Sequence, residues 1–568
     1  MSESDNGIPF YCMGLQTYRV PLELYKINRQ KVVSTFLKEH GDKRNGILYI
    51  EGGKSETRND SDHEPVFRQE SFFHYLTGVR EPDCAFLLNL CTGKCTLLIP
   101  HLPPDYATVM GTLPTPLEFQ NLYGVDGAVS MNPEHFDLIK ECQSLLQLNN
   151  YTGNEDYDEN KSWTLHLLEG VNTDSGNNYS PPLPTVQSCI QKHANEDTGG
   201  VVQSNSCSID IDNETIFPIL CECRVTKSTL ELDLLRHVTE VTSLAHVYVM
   251  KNASVGMMEY QCESLFRHYC YYNFGARHVG YTSICACGPN SAILHYGHAG
   301  APNDRTIKDG DICLFDMGAE YSCYGSDVTC SFPANGKFSQ TQKVLYQGVL
   351  NAQRAVYAMI KPGVSWRDCH LRAEEEILKA LIQLGVVLLP ESMSVKELVD
   401  LRLGAVFMPH GLGHLIGIDT HDVGGYTGIN DVTGDTIKRL PSRSSLPGLK
   451  SLRTARILGP NMTLTVEPGC YFIRHLWKAA LESQTLSVFL DQEKLEQYQN
   501  LGGIRLEDVI CVTSNGCENF TICPRTLEEV EHVASGGKWP PTKDSDPSLY
   551  RTCLTTTRTL SSTNTKAL

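Results

Sequence analysis

Three histidines lie close together in a glycine-rich stretch of the 568-residue sequence. The stretch is FMPHGLGHLIGIDTHDVGGY, residues 407–426, and it contains His410, His414 and His421. Each of its glycines disfavours a helix by about 1 kcal/mol, so the sequence predicts a loop that can approach other groups closely. Imidazoles bind metal ions and transfer protons near neutral pH, yet a single histidine is equally well explained as a hydrogen-bonded structural residue. The three therefore need partners elsewhere in the chain, and no glutamate lies between them as in the helical zinc-protease pattern.

Four carboxylates interrupt stretches that otherwise have the apolar character of strands. The stretches are ICLFDMGAE, YGSDVTCSF, LTVEPG and GIRLEDVI, and the carboxylates are Asp316, Asp327, Glu467 and Glu507. Acidic residues are disfavoured in strands and are almost never fully buried without a partner. Buried together without compensation, they would repel one another, raise their pKa values and protonate. Cations are the better explanation for all four, although a salt bridge such as Glu507 with Arg505, or an exposed strand face, would explain any one alone.

The spacing of the first two carboxylates suggests how they meet. A hairpin centred near Tyr321 and Ser322 would place Asp316 opposite Asp327, and directly opposed residues point to the same face of a sheet. Charge balance suggests the number of ions, because two divalent cations neutralise four carboxylates and one neutral imidazole completes the set. An oxygen-rich set favours hard ions such as manganese over a thiolate-bound structural zinc, with cobalt, iron or zinc as alternatives.

Composition and charge exclude several classes of protein. The formal net charge of -18 opposes binding to nucleic acid or to an anionic membrane surface. The N-terminal sequence lacks a basic start followed by an apolar run, and no apolar run is long enough to span a bilayer, so we expect a soluble cytoplasmic protein. The 22 cysteines are spread thinly along the chain, and we expect reduced thiols. The pairs Cys221/Cys223 and Cys285/Cys287, in apolar and strand-like surroundings, lack the second half of a zinc ribbon.

The pattern of apolar segments predicts an α/β protein of two domains. Short apolar runs that alternate with helical ones indicate an N-terminal mixed α/β domain over residues 8–222, with polar insertions near 149–162 and 192–208. Amphipathic helices and strand-like segments indicate a second, catalytic domain over residues 223–530. The Ser/Thr-rich residues 531–568 lack an apolar period and predict a disordered tail.

The ordered set of the four carboxylates and His414, with its surrounding motifs, closely resembles the prolidases, the Xaa-Pro dipeptidases of the M24 pita-bread metallopeptidases. The motifs are LHYGHAGAPNDRT, FDMG, MPHGLGHLIGIDTHDVGGY, SLRTAR and TVEPGCYF, and FRQESFFHYLTGV resembles the N-terminal domain of the family. The resemblance extends with gaps from about residue 8 to residue 530. It implies an N-terminal domain of the creatinase/aminopeptidase P type followed by a pita-bread catalytic domain, and a cytoplasmic homodimer.

The same resemblance implies the roles of individual residues. The implied cofactor is two divalent metal ions per chain, manganese before the others, and the implied metal ligands are Asp316, Asp327, His414, Glu467 and Glu507. Asp316 would bind one ion bidentately, Asp327 and Glu507 would bridge both, and Glu467 would serve the other ion beside His414. The implied catalytic residues are Glu467, His410 and His421. The implied substrate-binding residues are Tyr281, His295, His421, Arg453 and Arg505.

The chemistry that such a site implies is hydrolysis of an imidodipeptide. Two ions lower the pKa of a shared water and hold it as hydroxide, which attacks the carbonyl before proline. Glu467 would take a proton from the water, and His410 or His421 would stabilise the developing oxyanion. The sequence therefore predicts a Xaa-Pro dipeptidase. The alternatives are an aminopeptidase P, which uses the same metals on longer Xaa-Pro peptides, and a pita-bread binding protein without catalysis, which the intact ligand set opposes.

Four departures from the family pattern leave the ligand set intact, and one of them is the polar insertion near 192–208, before the catalytic domain. The segment TGINDVTGDTIKRLPSRSSLPG, residues 427–448, is about ten residues longer than the family pattern and adjoins residues of the substrate pocket, so it bears on substrate access. Cys470 replaces an aliphatic residue after the EPG turn. Val109 stands where many relatives have a tryptophan, so a capping role across subunits lacks its usual residue.

Overall fold

The structure, a computed structural model, describes residues 2–3, 9–41, 46–147, 163–180, 182–196, 209–429, 431–433, 436–438 and 440–554. The chain forms two compact units. The first unit comprises Met1–Tyr11, Arg19–Arg224 and Thr427–Ile429, and the second comprises Cys12–Tyr18, Val225–Tyr426 and Asn430–Leu568. The main change of unit therefore falls between Arg224 and Val225.

The first unit is built on a mixed sheet with helices. Its elements are β1 (Ser2–Glu3), β2 (Pro9–Tyr11), β3 (Val20–Pro21), α1 (Glu23–His40), β4 (Gly46–Glu51), α2 (Ser71–Thr77), β5 (Ala85–Asn89), β6 (Cys95–Ile99), α3 (Ala107–Met110), α4 (Pro116–Tyr123), β7 (Gly127–Ser130), α5 (Leu138–Gln147), β8 (Trp163–Leu167), β9 (Gly170–Val171), β10 (Asn178–Tyr179), α6 (Leu183–Glu196), β11 (Ile209–Asp212) and α7 (Ile216–Val225). The sheet order is β11-β8-β4-β5-β6-β7, in which β5 is antiparallel to β4 and β6 and the other pairs are parallel. Its central strands are continuous apolar runs because both faces of the sheet are covered.

The second unit consists of small antiparallel sheets and long helices. Its elements are α8 (Thr229–Asn252), α9 (Glu259–Phe274), β12 (His278–Val279), β13 (Ile284–Cys287), β14 (Ile312–Asp316), β15 (Ala319–Tyr321), β16 (Tyr324–Gly325), β17 (Thr329–Pro333), α10 (Gln340–Met359), α11 (Trp366–Gln383), α12 (Val395–Asp400), β18 (Asp431–Thr433), β19 (Thr436–Lys438), β20 (Thr463–Val466), β21 (Gly469–Tyr471), α13 (Arg474–Glu482), α14 (Gln492–Tyr498), β22 (Gly503–Arg505), β23 (Asp508–Val512), β24 (Cys517–Asn519) and α15 (Leu527–Ala534). Three of the sheets have the strand orders β13-β14-β17, β20-β23-β24 and β21-β22. The candidate carboxylates lie in or next to these strands.

The predicted hairpin between the first two carboxylates is present, but its turn is centred on Ser322–Cys323, one residue later than predicted. Both turn residues have positive φ, 50° and 62°, and the ladder pairs Asp316 with Thr329. The predicted pairing of Asp316 with Asp327 is therefore wrong, because Asp327 lies two positions along the facing chain. Side chains alternate with a period of two, so this shift keeps both carboxylates on the same face of the hairpin.

The helices of the second unit hold the strand ends in place. Side-chain caps from Ser228 and Ser339 start α8 and α10. From the buried face of α10, the amide of Gln353 donates to the carbonyl oxygens of Val466 at 3.2 Å and Leu506 at 3.1 Å. Each of these carbonyls directly precedes a candidate ligand, so one side chain fixes the two strand ends relative to each other.

A buried charge network supports the same strand ends. The Arg525 guanidinium donates to Asp508 Oδ1 from Nε at 2.9 Å and from Nη2 at 2.6 Å. It also donates to the backbone carbonyls of Thr329 at 2.9 Å and Glu507 at 2.5 Å. The hydroxyl of Tyr357 donates to the other oxygen of Asp508 at 2.6 Å. These bonds join the start of β17 to the start of β23, where two candidate ligands lie.

The prediction of a disordered tail that begins at residue 531 is wrong for the residues up to 554. Helix α15 continues to Ala534, and the buried Arg551 donates to Glu529 from both Nη atoms at 2.9 Å. Buried ion pairs, rather than an apolar period, anchor this segment, which is why its polar composition indicated disorder. Residues 555–568 lie outside the described residues.

The polar insertions of the first unit are only partly described. The insertion near 149–162 lies outside the described residues. In the insertion near 192–208, residues 192–196 form the end of α6, and residues 197–208 lie outside the described residues. The predicted polar loop at 192–208 is therefore wrong for its first residues, which continue a helix.

The composition led to expectations about thiols and membrane spans. Every cysteine in the described ranges is a free thiol. Cys221 and Cys223 lie on helix α7 rather than in a strand-like segment, whereas Cys285 and Cys287 lie on β13. Across the described ranges, none of the helices combines the length and the apolar character that a bilayer span requires.

We expect Asp508→Asn to lower the free energy of unfolding by about 3–5 kcal/mol, because it leaves the Arg525 guanidinium buried without an anionic partner. Urea denaturation would measure the change. Asp400→Asn, the same substitution at the exposed end of α12, is the matched control and should change stability by at most about 0.5 kcal/mol. Equal stability of the two variants would contradict a structural role for the Asp508–Arg525 pair.

Candidate metal and substrate site

The candidate ligands converge on one cavity of the second unit. Asp316 ends β14, Asp327 lies just before β17, Glu467 follows β20, and Glu507 lies between β22 and β23. With His414, from the glycine-rich loop, they line a cavity of about 510 Å³. This volume falls in the range of roughly 300–1,000 Å³ that is usual for small-molecule sites. The structure therefore brings together all five residues that the sequence singles out as metal ligands.

Their ligand atoms form overlapping groups, and the atoms of each group lie within 4.8 Å of one another. The groups are Asp316/Asp327/Glu507, His414/Glu467/Glu507 and Asp327/His414/His421. The first two groups share Glu507, as two neighbouring ions with a bridging carboxylate would require. Within the described part of the chain, Asp327 Oδ1 is buried and has no hydrogen-bond donor. This oxygen and the oxygen-rich donor set fit hard divalent cations.

The hydrogen bonds of His414 select the tautomer that a metal ligand needs. Its Nδ1 lies 3.0 Å from the backbone oxygen of Leu415, which can only accept, so Nδ1 carries the proton. Nε2 faces carboxylates, with Asp327 Oδ2 at 3.3 Å and Glu467 Oε1 at 3.6 Å. Burial opposes the charged ring, but these carboxylates outweigh it and raise the pKa of His414, so a bound cation would take the place of the Nε2 proton. A carbonyl bonded to the other ring nitrogen is the usual support of a metal-binding histidine.

Burial and mutual repulsion perturb the carboxylates strongly. Burial, followed by the charge of Asp327, raises the pKa of Asp316 to about 6. Burial raises the pKa of Glu467 to about 7, and the pKa of Glu507 is raised well above its usual value by burial and by the neighbouring carboxylates. Burial also acts on Asp327, but the hydrogen bond and charge of His414 outweigh it and hold the pKa of Asp327 below its usual value. The cluster thus carries more negative charge than its surroundings stabilise, which cations would relieve.

Close packing of the loop against β20 brings His414 to the cluster. A Cβ on Gly413 would lie 2.0 Å from the carbonyl oxygen of Thr465, so only glycine allows this approach. Thr465 in turn fixes the loop, since its Oγ1 accepts from the His414 amide at 3.0 Å. The indole of Trp366 donates to the Gly413 oxygen at 3.2 Å. Glycine is needed at position 413 because the loop packs against a strand there, and not because the loop has to be mobile.

Arg505 connects the carboxylates to the wall of the cavity. Its Nη2 donates to Asp316 Oδ2 at 2.6 Å, and its Nε donates to Thr329 Oγ1 at 3.0 Å. The Thr329 hydroxyl donates to Glu507 Oε2 at 2.7 Å. The Arg505–Glu507 bridge considered from the sequence is loose, with 3.9 Å between Nε and Oε2, so Asp316 is the main ionic partner. The side chain is buried, which leaves it oriented toward the cluster rather than toward solvent.

His410 is held by two hydrogen bonds within the protein. Its Nδ1 donates to the carbonyl oxygen of Gly411 at 2.7 Å, and its Nε2 accepts from the hydroxyl of Tyr471 at 2.9 Å. The same hydroxyl accepts from Arg505 Nη1 at 2.9 Å. Burial, followed by the charge of Arg505, lowers the pKa of His410 to about 3, so the ring is neutral. His410 Nδ1 lies 3.8 Å from Glu467 Oε2, which places the ring beside the cluster.

The remaining predicted residues also line this cavity. The hydroxyl of Tyr281 donates to Asp316 Oδ1 at 2.5 Å. The ring of His421, an exposed residue, is perpendicular to that of His414, with 4.5 Å between ring centroids. Partial removal from water lowers the pKa of His295, and the charges of Arg453 and Arg505 lower it further. Arg453 therefore places positive charge in the same part of the cavity as His295.

Two residues that complete the site were not singled out from the sequence, Tyr471 and Thr329. Thr329 starts β17 two residues after Asp327, and the period of two in a strand was the signal that could have found it. Tyr471 ends β21, which is a different strand from the β20 that precedes Glu467, so only the tertiary structure brings it to the site. The departures from the family pattern lie apart from the ligands, with Cys470 buried on β21 and Val109 exposed on α3.

Comparison with known proteins identifies relatives of both units. The model of metallopeptidase family M24 matches residues 233–514, and the model of the aminopeptidase P N-terminal domain matches residues 25–145. The chain is 43% identical over 528 residues to the Xaa-Pro dipeptidase of Homo sapiens, and the aligned residues cover 93% of this chain and 96% of that protein. The chain belongs to metallopeptidase family M24.

Other relatives of this M24 metallopeptidase are aminopeptidases P. The probable Xaa-Pro aminopeptidase pepP of Talaromyces marneffei is 32% identical over 516 residues, covering 90% of this chain and 97% of that protein. The structure of Pseudomonas aeruginosa aminopeptidase PepP has a TM-score of 0.69 at 28% identity, covering 91% and 98% of the two chains. Zn-substituted E. coli aminopeptidase P in complex with product has a TM-score of 0.67 at 27% identity, covering 92% and 100%. These comparisons confirm the predicted fold, an N-terminal α/β domain followed by a pita-bread domain.

We expect the metal-free M24 protein to bind divalent cations more weakly as the pH falls from about 8 to about 6. Asp316 and Glu467, with pKa values raised to about 6 and about 7, take up protons in this window, and an ion must displace them. Calorimetric titration with Mn²⁺ in two buffers of different ionisation enthalpy would detect the released protons. An affinity that does not change with pH, with no proton release, would contradict this coupling.

Proposed function

We propose that this M24 metallopeptidase hydrolyses Xaa-Pro dipeptides. The observation that carries the proposal is a cluster of five metal-ligand residues in the same cavity as Arg453, in a chain 43% identical over 528 residues to the human Xaa-Pro dipeptidase. The cluster supplies the hydrolytic chemistry, and the arginine supplies recognition of a free carboxylate.

We propose that the cluster holds two divalent ions, for which manganese is our choice because the donors are oxygens and one imidazole. Asp316, Asp327, His414, Glu467 and Glu507 are the proposed ligands. When bound, the two ions activate water and polarise the scissile carbonyl. The residues of the chain then have to orient the dipeptide and move its protons.

Glu467 is the proposed proton acceptor. Of the four carboxylates it is the most exposed, with 17% of its side chain accessible, so it faces both the cluster and the cavity. Its Oε2 faces the His410 ring at 3.8 Å. A carboxylate in this position can take a proton from water on one side of the scissile bond and return it to the leaving imide nitrogen.

His421 is the proposed stabiliser of the oxyanion. It is exposed beside His414, whereas both nitrogens of His410 are engaged by Gly411 and Tyr471. We therefore assign His410 the role of orienting the wall of the site next to Glu467. An imidazole N–H from His421 would be worth most on the oxygen where charge develops.

Arg453 is the proposed partner of the free carboxylate of proline. A guanidinium offers a planar fork of donors that matches a carboxylate bidentately. Such a pair favours dipeptides over peptides that continue past proline. The higher identity to Xaa-Pro dipeptidases, 43% against 32% for a probable Xaa-Pro aminopeptidase, favours the same specificity over the aminopeptidase P alternative.

Residues 440–448, the described end of the long segment 427–448, adjoin this end of the cavity. Arg443 Nη1 donates to the Leu452 oxygen at 2.9 Å, and the Arg443 guanidinium lies 4.4 Å from the centre of the Tyr426 ring. The hydrogen bond to Leu452 is next to Arg453, so we propose that the segment restricts access to the carboxylate end of the substrate.

We also propose that the protein is a cytoplasmic homodimer, because the resemblance to the family implies one.

We expect Asp327→Asn to lower turnover of Gly-Pro by more than about 100-fold, because the site loses a proposed bridging ligand and one negative charge. Elemental analysis of the same preparation should show fewer than two ions per chain. Asp400→Asn, at an exposed position on α12, should keep both ions and full turnover. Near-normal turnover by Asp327→Asn with its metals retained would refute the assignment.

We expect Arg453→Ala to weaken hydrolysis of a Xaa-Pro dipeptide by roughly 2 to 4 kcal/mol in the transition state, and to weaken hydrolysis of the amidated dipeptide less. The amide lacks the charge that the guanidinium would pair with. Values of kcat/KM for both substrates in both proteins form a thermodynamic cycle. Arg474→Ala, an exposed arginine at the start of α13, is the matched control. Equal losses for acid and amide would show that Arg453 does not read the carboxylate.

A further inference from the structure

A buried ion pair outside the cavity lies between the two chain segments that carry His410 and Arg453. Glu374, on α11, has no exposed surface and accepts from Arg402 Nη1 at 2.8 Å and from Nη2 at 2.5 Å. His370, one turn earlier on α11, lies with its Nε2 3.0 Å from Glu374 Oε1. None of these three lines the cavity, so the site described above does not account for them.

The Arg402 side of the pair leads to His410. Arg402 has a left-handed backbone with φ of 63° and starts the short 3-10 helix Leu403–Val406. This helix ends four residues before His410. A Cβ on Gly404, in that helix, would lie 2.9 Å from the Cβ of Glu374. This turn is therefore pressed directly against the ion pair, and its position fixes where the His410 segment begins.

The other side of the pair leads to Arg453. Arg402 Nε donates to the carbonyl oxygen of Pro447 at 3.0 Å. A Cβ on the next residue, Gly448, would lie 2.8 Å from Arg402 Nη2 and 3.1 Å from Glu374 Oε1. Gly448 then starts the 3-10 turn Leu449–Ser451, which leads to Arg453. The end of the long segment 427–448 is thus attached to α11 through this one guanidinium.

The two segments also meet each other at the cavity. A Cβ on Gly411 would lie 2.9 Å from Leu452 Cα and 3.0 Å from the oxygen of Ser451. Such close backbone contact transmits a shift of either segment to the other, since packed interiors leave no space to absorb it. Ser451 lines the cavity next to Arg453.

We propose that the Arg402–Glu374 pair is a positioning device that sets Arg453 at the distance from the metal cluster that fits a dipeptide carboxylate. The inference rests on the proposed role of Arg453. The pair acts through the Pro447–Gly448 turn and does not touch substrate. Loss of the pair releases the Arg453 segment from α11, and the guanidinium of Arg453 moves relative to the scissile bond.

The test compares hydrolysis of a Xaa-Pro dipeptide and its amide by Arg402→Lys and by the double variant Arg402→Met/Glu374→Met. The lysine keeps a charge but loses the donation to Pro447, and the double variant removes both charges so that neither is left buried alone. We expect the preference for the acid over the amide to fall by about 10- to 100-fold in the double variant, mainly through a higher KM for the acid. In an Arg453→Ala background the same double substitution should leave the remaining preference unchanged.

A matched control is Arg551→Lys, because Arg551 makes a buried two-fold contact with Glu529 away from the cavity. It should leave the acid-to-amide preference unaltered while lowering the melting temperature. A folded Arg402→Met/Glu374→Met variant that keeps the full preference, while Arg453→Ala loses it, would overturn the positioning role. An equal loss of preference in Arg551→Lys would also overturn it, by showing general destabilisation. An Arg453→Ala protein with unchanged preference would instead refute the carboxylate assignment on which the inference rests.

Discussion

The mutual repulsion of four carboxylates in a site largely removed from water is the constraint on which the rest of the catalytic unit depends. Asp316 has Arg505 as a direct partner and Asp327 has His414, but Glu467 and Glu507 lack an equally close cation among the described residues. Burial raises the pKa values of Asp316, Glu467 and Glu507, even though Asp316 pairs with Arg505. A fold that keeps such a cluster together leaves the carboxylates repelling one another, and a bound cation lowers that repulsion. This is the physical basis of a cation site.

The scaffold holds the backbone around the carboxylates, in addition to the direct hydrogen bonds that Asp316 and Glu507 accept from Arg505 and Thr329. Gln353 holds the carbonyls of Val466 and Leu506, and Arg525 holds the carbonyls of Thr329 and Glu507. The strand ends are therefore fixed from behind. Asp327 Oδ1 remains without a hydrogen-bond donor in the described structure, and Asp327 lines the cavity. A site built in this way is rigid before any ion arrives, which reduces the ordering cost of binding.

The cavity has two chemically different ends, and different segments of the chain control them. The carboxylate end is fixed by strands and long helices, which tolerate little change. The Arg453 end is formed by a turn that follows the long segment 427–448 and is tied to the protein by Arg402, Arg443 and Thr454. Under the proposed roles, hydrolytic chemistry and the selection of substrate length belong to separate parts of the structure.

The sequence by itself determined the chemical groups of this protein and much of its architecture. Charged residues in apolar strands are costly, so the four carboxylates stood out, and strong motifs placed His414 and Arg453 beside them. The sequence did not determine the hairpin register, because Ser322 and Cys323 adopt positive φ that their residue types do not indicate. It also misjudged residues 531–554, whose order depends on ion pairs such as Arg551–Glu529. Only the tertiary structure showed that Arg402 and Glu374, 28 residues apart, join two walls of the cavity. Contacts of this kind depend on the path of the backbone through space, and no local pattern of residues encodes that path.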